Sequence, residues 1–398
     1  MSIGDLREGL AERFHSLRHR NFRLYWVGQL VSLVGTWMQS VAQGWLMHRL
    51  TPSAFMLGLL GFCQFIPVLL FSLWAGVVVD HVDKRRLLYW TQGGALVQAA
   101  LFAALTGFGV IQVWMVLALA MGFGVINAFD LPARQSFLVE LVGKEDLSNA
   151  IALNSAAFNV ARILGPAVAG GLLAAIGESG CFWLNAVSYV AVLVSLTRMT
   201  LPPRAGAVPH RMRSTMREGL RYAWGVVSIR NLLVLLALTA GIGFQYQTLL
   251  PVYASDILHQ GAGAYALLVS AFGVGALAGA VRLTQKLDRW GLRANLLAGL
   301  ASAGLGLFVL AWSRVLWLSM VGGVFAGFGL IVYVASTNTL LQLTTDDRYR
   351  GRVMSLYTLM FIGTTPFGAL LAGWIAQRWG APIATSLSGT AMVLGAVW

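Results

Sequence analysis

Twelve long apolar runs constrain this chain more than any other feature. Each has 18 residues or more, and about 20 suffice for an α-helix to cross the hydrocarbon core of a bilayer. The runs are predicted at 24–48, 54–79, 87–107, 110–130, 148–176, 181–200, 231–254, 263–284, 292–312, 315–342, 353–377 and 381–398. We expect the last run either to end at the interface or to be truncated. The pattern predicts an all-α integral membrane protein with 12 transmembrane helices.

Composition excludes the other broad classes. Hydrophobic residues make up 58% of the chain and charged residues 11%, whereas a soluble domain carries roughly 25% charged residues. Too little polar surface exists for a soluble or a disordered chain. Cys63 and Cys181 both lie in apolar runs, so we expect no disulfide framework, no metal site and no cofactor. The first run is too long for the core of a cleavable signal peptide.

The basic residues are distributed unevenly between the two sides of the membrane. With the N-terminus in the cytoplasm, 24 of the 28 lysines and arginines fall on the cytoplasmic side. The opposite side carries Arg49, Arg314 and Arg378, and Arg162 alone lies inside a span. This asymmetry predicts a membrane protein with both termini cytoplasmic. It also excludes a nucleic-acid partner, because no single basic face exists.

The two halves of the chain resemble each other. The segment 7–10 recurs as 217–220, Asp80 recurs as Asp288, and Pro166 recurs as Pro366, at slowly drifting offsets near 200. Parallel repeats of six spans are a known transporter plan with a site near the midplane. We predict a cytoplasmic amphipathic arm, a six-helix bundle, a cytoplasmic linker with an amphipathic helix, and a second six-helix bundle, over residues 1–23, 24–200, 201–230 and 231–398.

One face of the first span is polar. The side chains recur at spacings of three and four residues, and they are Gln29, Ser32, Thr36, Gln39 and Gln43. Such a face is costly against lipid, so it must lie at a helix interface or along a wet cavity. We favour the cavity for Gln39 and Gln43, because a transport pathway needs a polar lining.

The fifth span carries Asn159 and Arg162 three residues apart. An arginine inside a membrane must face the protein interior and have a partner. We favour a role in binding an anionic group or in switching partners over a purely structural tie. Gly165 and Pro166 follow directly, and Pro366 occupies the matching place in span 11; these residues predict close helix approach and a bend.

Polar side chains in the second half complete the predicted substrate cavity. They are Gln245 and Tyr246 in span 7, and Tyr333 and Asn338 in span 10. No phosphate loop, metal-ligand spacing or nucleophile motif occurs, so we predict no enzymatic activity.

Titratable candidates for ion coupling are few. Asp130 precedes Arg134 by four residues near the predicted end of span 4, a spacing that favours an interfacial ion pair. Asp130 is the candidate proton site, ahead of His48 and Asp256.

The segment 76–86 resembles the signature loop of the major facilitator superfamily. Gly76, Asp80, Asp83, Arg85 and Arg86 carry the resemblance, although His81 stands where an arginine is common. We expect Gly76 to let a neighbouring helix come close, and Asp80 to pair with basic groups or with a helix N-terminus. In the family this segment holds the two halves together in the outward-open state. The second copy retains Asp288, Arg289 and Gly291 but has Thr284 in place of the glycine.

The segments 35–46, 162–167 and 350–355 resemble the enterobactin-exporter-like group of drug and siderophore exporters within that superfamily. The resemblance covers nearly the whole chain and implies an exporter in a bacterial inner membrane that is usually coupled to protons. We expect a monomer that works by alternating access amid membrane lipids and exports a small amphipathic molecule. The arginine of the span-4 signature of many proton antiporters is absent, and we consider Arg162 as its substitute. A lysolipid or lipid flippase and a non-transporting membrane sensor or partner remain the alternatives.

Overall fold

A computed structural model describes residues 15–143, 145–200, 216–283, 288–346 and 348–398. Within these ranges the chain forms helices joined by short turns, with no strand. The predicted arm falls mostly on 1–14 and the predicted linker mostly on 201–215, which lie outside the described residues.

The first half contains six long helices after a short 3₁₀ turn at His15–Arg18. We label them α1 (Arg20–Leu50), α2 (Ala54–His81), α3 (Lys84–Gly107), α4 (Val113–Val142), α5 (147–176) and α6 (178–197). The last two form one helical stretch, Leu147–Thr197, which is interrupted at Gly177. Gly177 has φ 65° and ψ −175°, a conformation that favours glycine.

The second half opens with a short helix and then supplies six further spans. The helices are α7 (Met216–Gly225), α8 (Val227–Ile242), α9 (Tyr246–Val252), α10 (Ala262–Arg282), α11 (Arg289–Trp312), α12 (Leu316–Thr344), α13 (Arg350–Trp379) and α14 (Ala381–Val397). A 3₁₀ turn, Gly243–Gln245, joins α8 to α9, and a π-helical turn, Tyr253–Ile257, continues α9. Together α8 and α9 make one discontinuous span.

The twelve predicted spans are confirmed within the described residues. Eight helical stretches there are long and apolar enough to cross a membrane, and one of these contains both α5 and α6. The shorter α14 is apolar over 17 residues. The remaining two, α1 and α3, are 31 and 24 residues long and are made less apolar by buried glutamines.

The fourth span is longer than the sequence predicts. Helix α4 continues to Val142, whereas the apolar run was expected to end at 130. The helix continues because Phe137, Leu138 and Leu141 are all buried in one core cluster, a spacing that follows the helical period. Arg134 therefore lies in a helix and not in a loop, and Arg162 is not the only charge inside a spanning helix.

The residues group into two compact units. The first unit contains Met1–Ala42, Leu70–Ile111 and Gly122–Pro209, and the second contains Gln43–Leu69, Gln112–Met121 and His210–Trp398. Within the first unit α5 packs on α1 at Gly165; within the second α13 packs on α8 at Gly368, where a Cβ would overlap the carbonyl oxygen of Gly241. The same kind of contact thus recurs in each unit.

The short helix α7 packs on α13. A Cβ on Gly219 would lie 2.7 Å from Cβ of Arg352, and the Arg352 guanidinium donates to Glu218 at 3.1 Å. The Tyr222 ring stacks on Tyr349 with centroids 4.2 Å apart. These contacts hold α7 against the start of α13.

Candidate functional site

Arg162 and Trp37 form the central contact of the first unit. The guanidinium carbon of Arg162 lies 5.6 Å from the centroid of the Trp37 ring, within cation–π range. The edge of Phe158 meets the same ring, with centroids 5.7 Å apart. Arg162 is half-buried, and none of the ion pairs among the described residues involves it. Its partner is therefore an aromatic face, not the polar face of α1.

A close helix approach at Gly165 sets this geometry. A Cβ there would lie 2.5 Å from Cβ of Trp37 and 2.8 Å from the carbonyl oxygen of Val34. The predicted close approach at Gly165 is thus found. Pro166 and Pro366 both lie inside helices, and the bend at these residues stays a prediction. Because Arg162 and Gly165 are three residues apart, both reach α1 at Trp37. Asn159, one turn earlier, is partly exposed and donates only to its own helix at the carbonyl of Ser155 (2.9 Å).

The polar face of α1 lies at a helix interface over much of its length. Gln39 is 2% exposed, donates to Gln98 at 3.1 Å and accepts from Asn185 at 2.7 Å. Thr36 shares a hydrogen bond of 3.1 Å with the hydroxyl of Tyr189. The cavity that we favoured for Gln39 is not what the structure shows, because both ends of its amide are used between helices. Gln43 is also buried, and its Nε2 has no hydrogen-bond partner among the described residues.

Three of the four cavity candidates in the second unit are buried. Gln245 donates to the carbonyl of Ala240 at 2.8 Å, across the break between α8 and α9. The ring of Tyr246 stacks on Phe272 with centroids 4.1 Å apart. Tyr333 shares a hydrogen bond of 2.8 Å with Thr239. These contacts assign the three residues to packing, contrary to the cavity that the sequence predicted.

Asn338 belongs instead to a partly exposed polar and aromatic surface. It accepts from Gln342 at 2.6 Å and lies near the hydroxyl of Tyr357. The Tyr357 ring stacks near Phe361, whose edge meets Phe244 with centroids 5.4 Å apart. Tyr357 and Phe361 were not identified from the sequence.

Asp130 is buried in a network of donors. It is 2% exposed, and the side chains of Thr91 and Gln92 each donate to its Oδ1 at 2.7 Å. The predicted ion pair with Arg134 is present, but it lies inside α4, not at an exposed interface. The donors on α3 share a face with Gln98, seven residues on from Thr91. Polar residues at helical spacing in an apolar run are the sequence signal by which Thr91 and Gln98 could have been predicted.

The two weaker titratable candidates contact each other. Nε2 of His48 lies 3.2 Å from Oδ1 of Asp256, and His48 is 7% exposed. Both belong to the second unit. A Cβ on the adjacent Gly44 would lie 2.8 Å from the Tyr265 hydroxyl, so packing there is tight around the histidine.

Each copy of the signature segment supplies an aspartate that caps the N-terminus of a helix. Asp83 accepts from the backbone N–H of Arg86 at 2.7 Å and caps α3, while Asp288 accepts from Gly291 N–H at 2.8 Å and caps α11. Arg85 donates to the carbonyl of Thr197 at 3.2 Å. No described residue approaches Gly76 within 4 Å of where a Cβ would stand, so the expected close approach is not found there. The side chains of Asp80 and Arg289 lie outside the described residues.

A cluster that the sequence did not suggest lies ahead of α5. His15 and His19 hydrogen-bond the two carboxylate oxygens of Asp146 at 2.8 and 2.6 Å. The hydrogen bond from His19, followed by that from His15, holds the pKa of Asp146 below its ordinary value. This cluster ties the start of the described chain to the residue before α5.

Twelve spans and similar close helix contacts in two units define a helical multi-pass membrane protein. The comparisons with known proteins agree. Residues 11–398 match the family model of transmembrane secretion effectors, and the chain belongs to this family, within the major facilitator superfamily.

Curated relatives match most of the chain. The staphyloferrin A transporter of Staphylococcus aureus (strain NCTC 8325 / PS 47) is 25% identical over 93% of both chains. The multidrug efflux pump Tap of Mycolicibacterium fortuitum is 26% identical over 88% of both. The macrolide efflux protein A of Streptococcus pyogenes is 24% identical over 94% of both.

Solved structures share the fold. A bacterial homologue of the human lysosomal transporter Spinster, in an inward-facing and occupied conformation, gives a TM-score of 0.74 at 14% identity, covering 95% of this chain and 96% of that one. The nucleoside transporter NupG gives 0.71 at 12% identity, covering 95% and 97%.

Proposed function

We propose that this protein exports a small amphipathic molecule of the siderophore or drug class across a bacterial inner membrane. It works by alternating access as a monomer, with both termini in the cytoplasm and protons as the coupling ion. The family supports export, and the names of the staphyloferrin, multidrug and macrolide relatives support the substrate class. The positive-inside asymmetry supports the orientation.

The contact between Arg162 and Trp37 carries the proposal. A half-buried guanidinium that pairs with no carboxylate in the described part of the chain keeps its charge for an anionic group, and the indole ring adds an apolar face. A ligand with one acidic group and an aromatic or alkyl body matches both properties. Among the sequence candidates in the first unit, Asn159 also stays partly exposed, and we propose that it contacts the substrate.

The test is efflux into inverted membrane vesicles, measured with a panel of siderophores, dyes, macrolides and lysolipids. We expect Arg162→Ala to abolish export while the protein remains in the membrane. Arg162→Lys keeps the charge and a cation–π contact but loses the planar stacking, so we expect export between that of wild type and that of Arg162→Ala.

Arg378 provides a matched control. Its guanidinium lies 5.8 Å from the ring centroid of Trp374, the same kind of contact at an exposed helix end. Arg378→Ala should export normally. Normal export by Arg162→Ala, or equal losses in both variants, would remove the role assigned to Arg162, and transport of lysolipid alone would favour the flippase.

For coupling, we propose that Asp130 binds the transported proton. Protonation would remove the charge that pairs with Arg134 and would weaken the hydrogen bonds from Thr91 and Gln92, so it can change how α3 and α4 contact each other. Substrate-induced proton uptake or release by purified protein, followed with a pH dye, is the measurement. We expect Asp130→Asn to lose this signal while Asp256→Asn, the same change at an exposed carboxylate, retains it. The opposite pattern would move the proton site to the pair of His48 and Asp256.

A further inference from the structure

A groove unconnected with Arg162 runs along α3 beside α6, within the first unit. Its volume is about 950 Å³, at the upper end of the range for small-molecule sites, roughly 300–1,000 Å³. The lining comes from one face of α3 and a single residue of α6: Asp83, Arg85, Arg86, Tyr89, Trp90, Gly93, Gly94, Val97 and Leu193.

One end of the groove is basic. Arg85 and Arg86 stand at the first turn of α3, and neither takes part in an ion pair with a described carboxylate. The nearby carboxylate of Asp83 already accepts from the backbone N–H of Arg86 as the helix cap. Arg85 donates to the carbonyl of Thr197, whereas the side chain of Arg86 is exposed. An anionic group therefore meets two cations here.

The rest of the groove is apolar and open. Trp90 is 80% exposed and Val97 56% exposed, one on each side of the glycine pair. A Cβ at Gly93 would meet nothing within 4 Å, and one at Gly94 would meet only the side chain of Ile126. Helix α6, which contributes Leu193 to the groove, also has the exposed apolar residues Val187, Val190 and Val194. In a spanning protein such a face lies against acyl chains.

We propose that this groove binds one anionic phospholipid. The phosphate pairs with Arg86 and Arg85 at the cytoplasmic end of α3, Tyr89 and Trp90 lie at headgroup level, and an acyl chain follows Gly93 and Val97. A basic end followed by an apolar channel of this length matches a lipid in both charge and shape. A basic pair next to an interfacial aromatic residue is also a common membrane anchor. The site is separate from the transport surface at Arg162 and does not depend on the proposed substrate.

The experiment measures bound lipid on the full-length chain. Protein is reconstituted in vesicles of phosphatidylcholine and phosphatidylglycerol in equal amounts, extracted gently, and analysed by native mass spectrometry. We expect one retained phosphatidylglycerol, displaced as salt rises because ionic screening weakens the headgroup contact. Arg86→Gln should reduce the preference for phosphatidylglycerol about fivefold, the value of roughly one basic side chain near an anionic surface. Gly93→Leu should remove both lipids by filling the groove.

Two variants are matched controls. Arg23 is exposed near the start of α1 and does not line the groove, so Arg23→Gln should keep the preference. Gly122 is an exposed helical glycine with nothing within 4 Å, so Gly122→Leu controls for added bulk. If wild type shows no headgroup preference, or if Arg86→Gln and Gly93→Leu both retain the lipid, the proposal is wrong. A dimer that forms through Trp90 in place of bound lipid would overturn it equally. Should Gly93→Leu fail to fold, Trp90→Ala tests the apolar half, with weaker retention expected.

Discussion

Replacing Gly165 by alanine should separate α5 from α1. The added Cβ would stand 2.5 Å from Cβ of Trp37 and 2.8 Å from the carbonyl oxygen of Val34. Neither atom is the free end of a flexible side chain, so the helices must move apart by about 1 Å to reach ordinary carbon contact. Overpacking of this kind costs about 1–3 kcal/mol, while alanine in place of glycine gains about 1 kcal/mol of helix propensity.

Gly171 isolates the propensity effect. It lies on the same helix, and a Cβ there would meet nothing within 4 Å. Gly171→Ala should therefore raise the free energy of unfolding by up to about 1 kcal/mol, whereas Gly165→Ala should leave it unchanged or lower it by up to about 2 kcal/mol. The two variants should differ by at least about 2 °C in melting temperature.

The assay is thermal unfolding of both purified proteins in the same detergent, followed by tryptophan fluorescence. Trp37, whose ring contacts both Arg162 and Phe158, is one of the fourteen tryptophans that contribute to this signal. Export by Gly165→Ala should also fall, because Arg162 would no longer reach Trp37 in the same geometry. If Gly165→Ala melts at or above Gly171→Ala, the close approach of α5 and α1 is not what holds this part of the unit together.

Three further predictions concern stability. Gln39→Leu leaves one group unpaired on each of Gln98 and Asn185, and each should lower the stability of the first unit by about 1–3 kcal/mol. Thermal unfolding measures this loss. Unchanged stability together with lost export would instead support the cavity interpretation. Asp288→Ala should cost about 1 kcal/mol and raise hydrogen exchange in the first turn of α11, because the cap of Gly291 N–H is lost; equal exchange would contradict the assigned cap. Asp146 has a lowered pKa, so its stabilising contribution is present above the ordinary carboxyl pKa and disappears as pH falls through the lowered value; the melting-temperature gap between wild type and Asp146→Asn should therefore close below about pH 4.

Much of the architecture could be predicted from sequence because a bilayer imposes a simple rule. Every backbone polar group must be satisfied within a helix, so hydropathy alone locates the spans. The exception is α4, where the helix passes the end of the apolar run. There the partner of Phe137 and Leu141 is a buried core cluster and not lipid, and a hydropathy window does not distinguish the two.

The candidate site was only partly predictable. Sequence identified Arg162 and Gly165 because a charge and a small residue inside a span are unusual in any context. It did not identify the Trp37 ring as the partner of Arg162, since fourteen tryptophans were available. For Gln39 and Gln245 the residue type was informative but the environment was not, because a glutamine suits a wet cavity and a helix interface equally well.

By itself, the sequence determined that this chain lies in a membrane and how many helices cross it. Those properties follow from composition and order along one dimension, because lipid acts on each helix separately. Only the tertiary structure decided which polar side chains pair with each other and which stay exposed. For Gln39 that choice depends on neighbours 59 and 146 residues away in the sequence. At Gly165 it depends on differences of about an ångström in the distance between two helices. Such distances are set by the packing of whole helices, which no local pattern records.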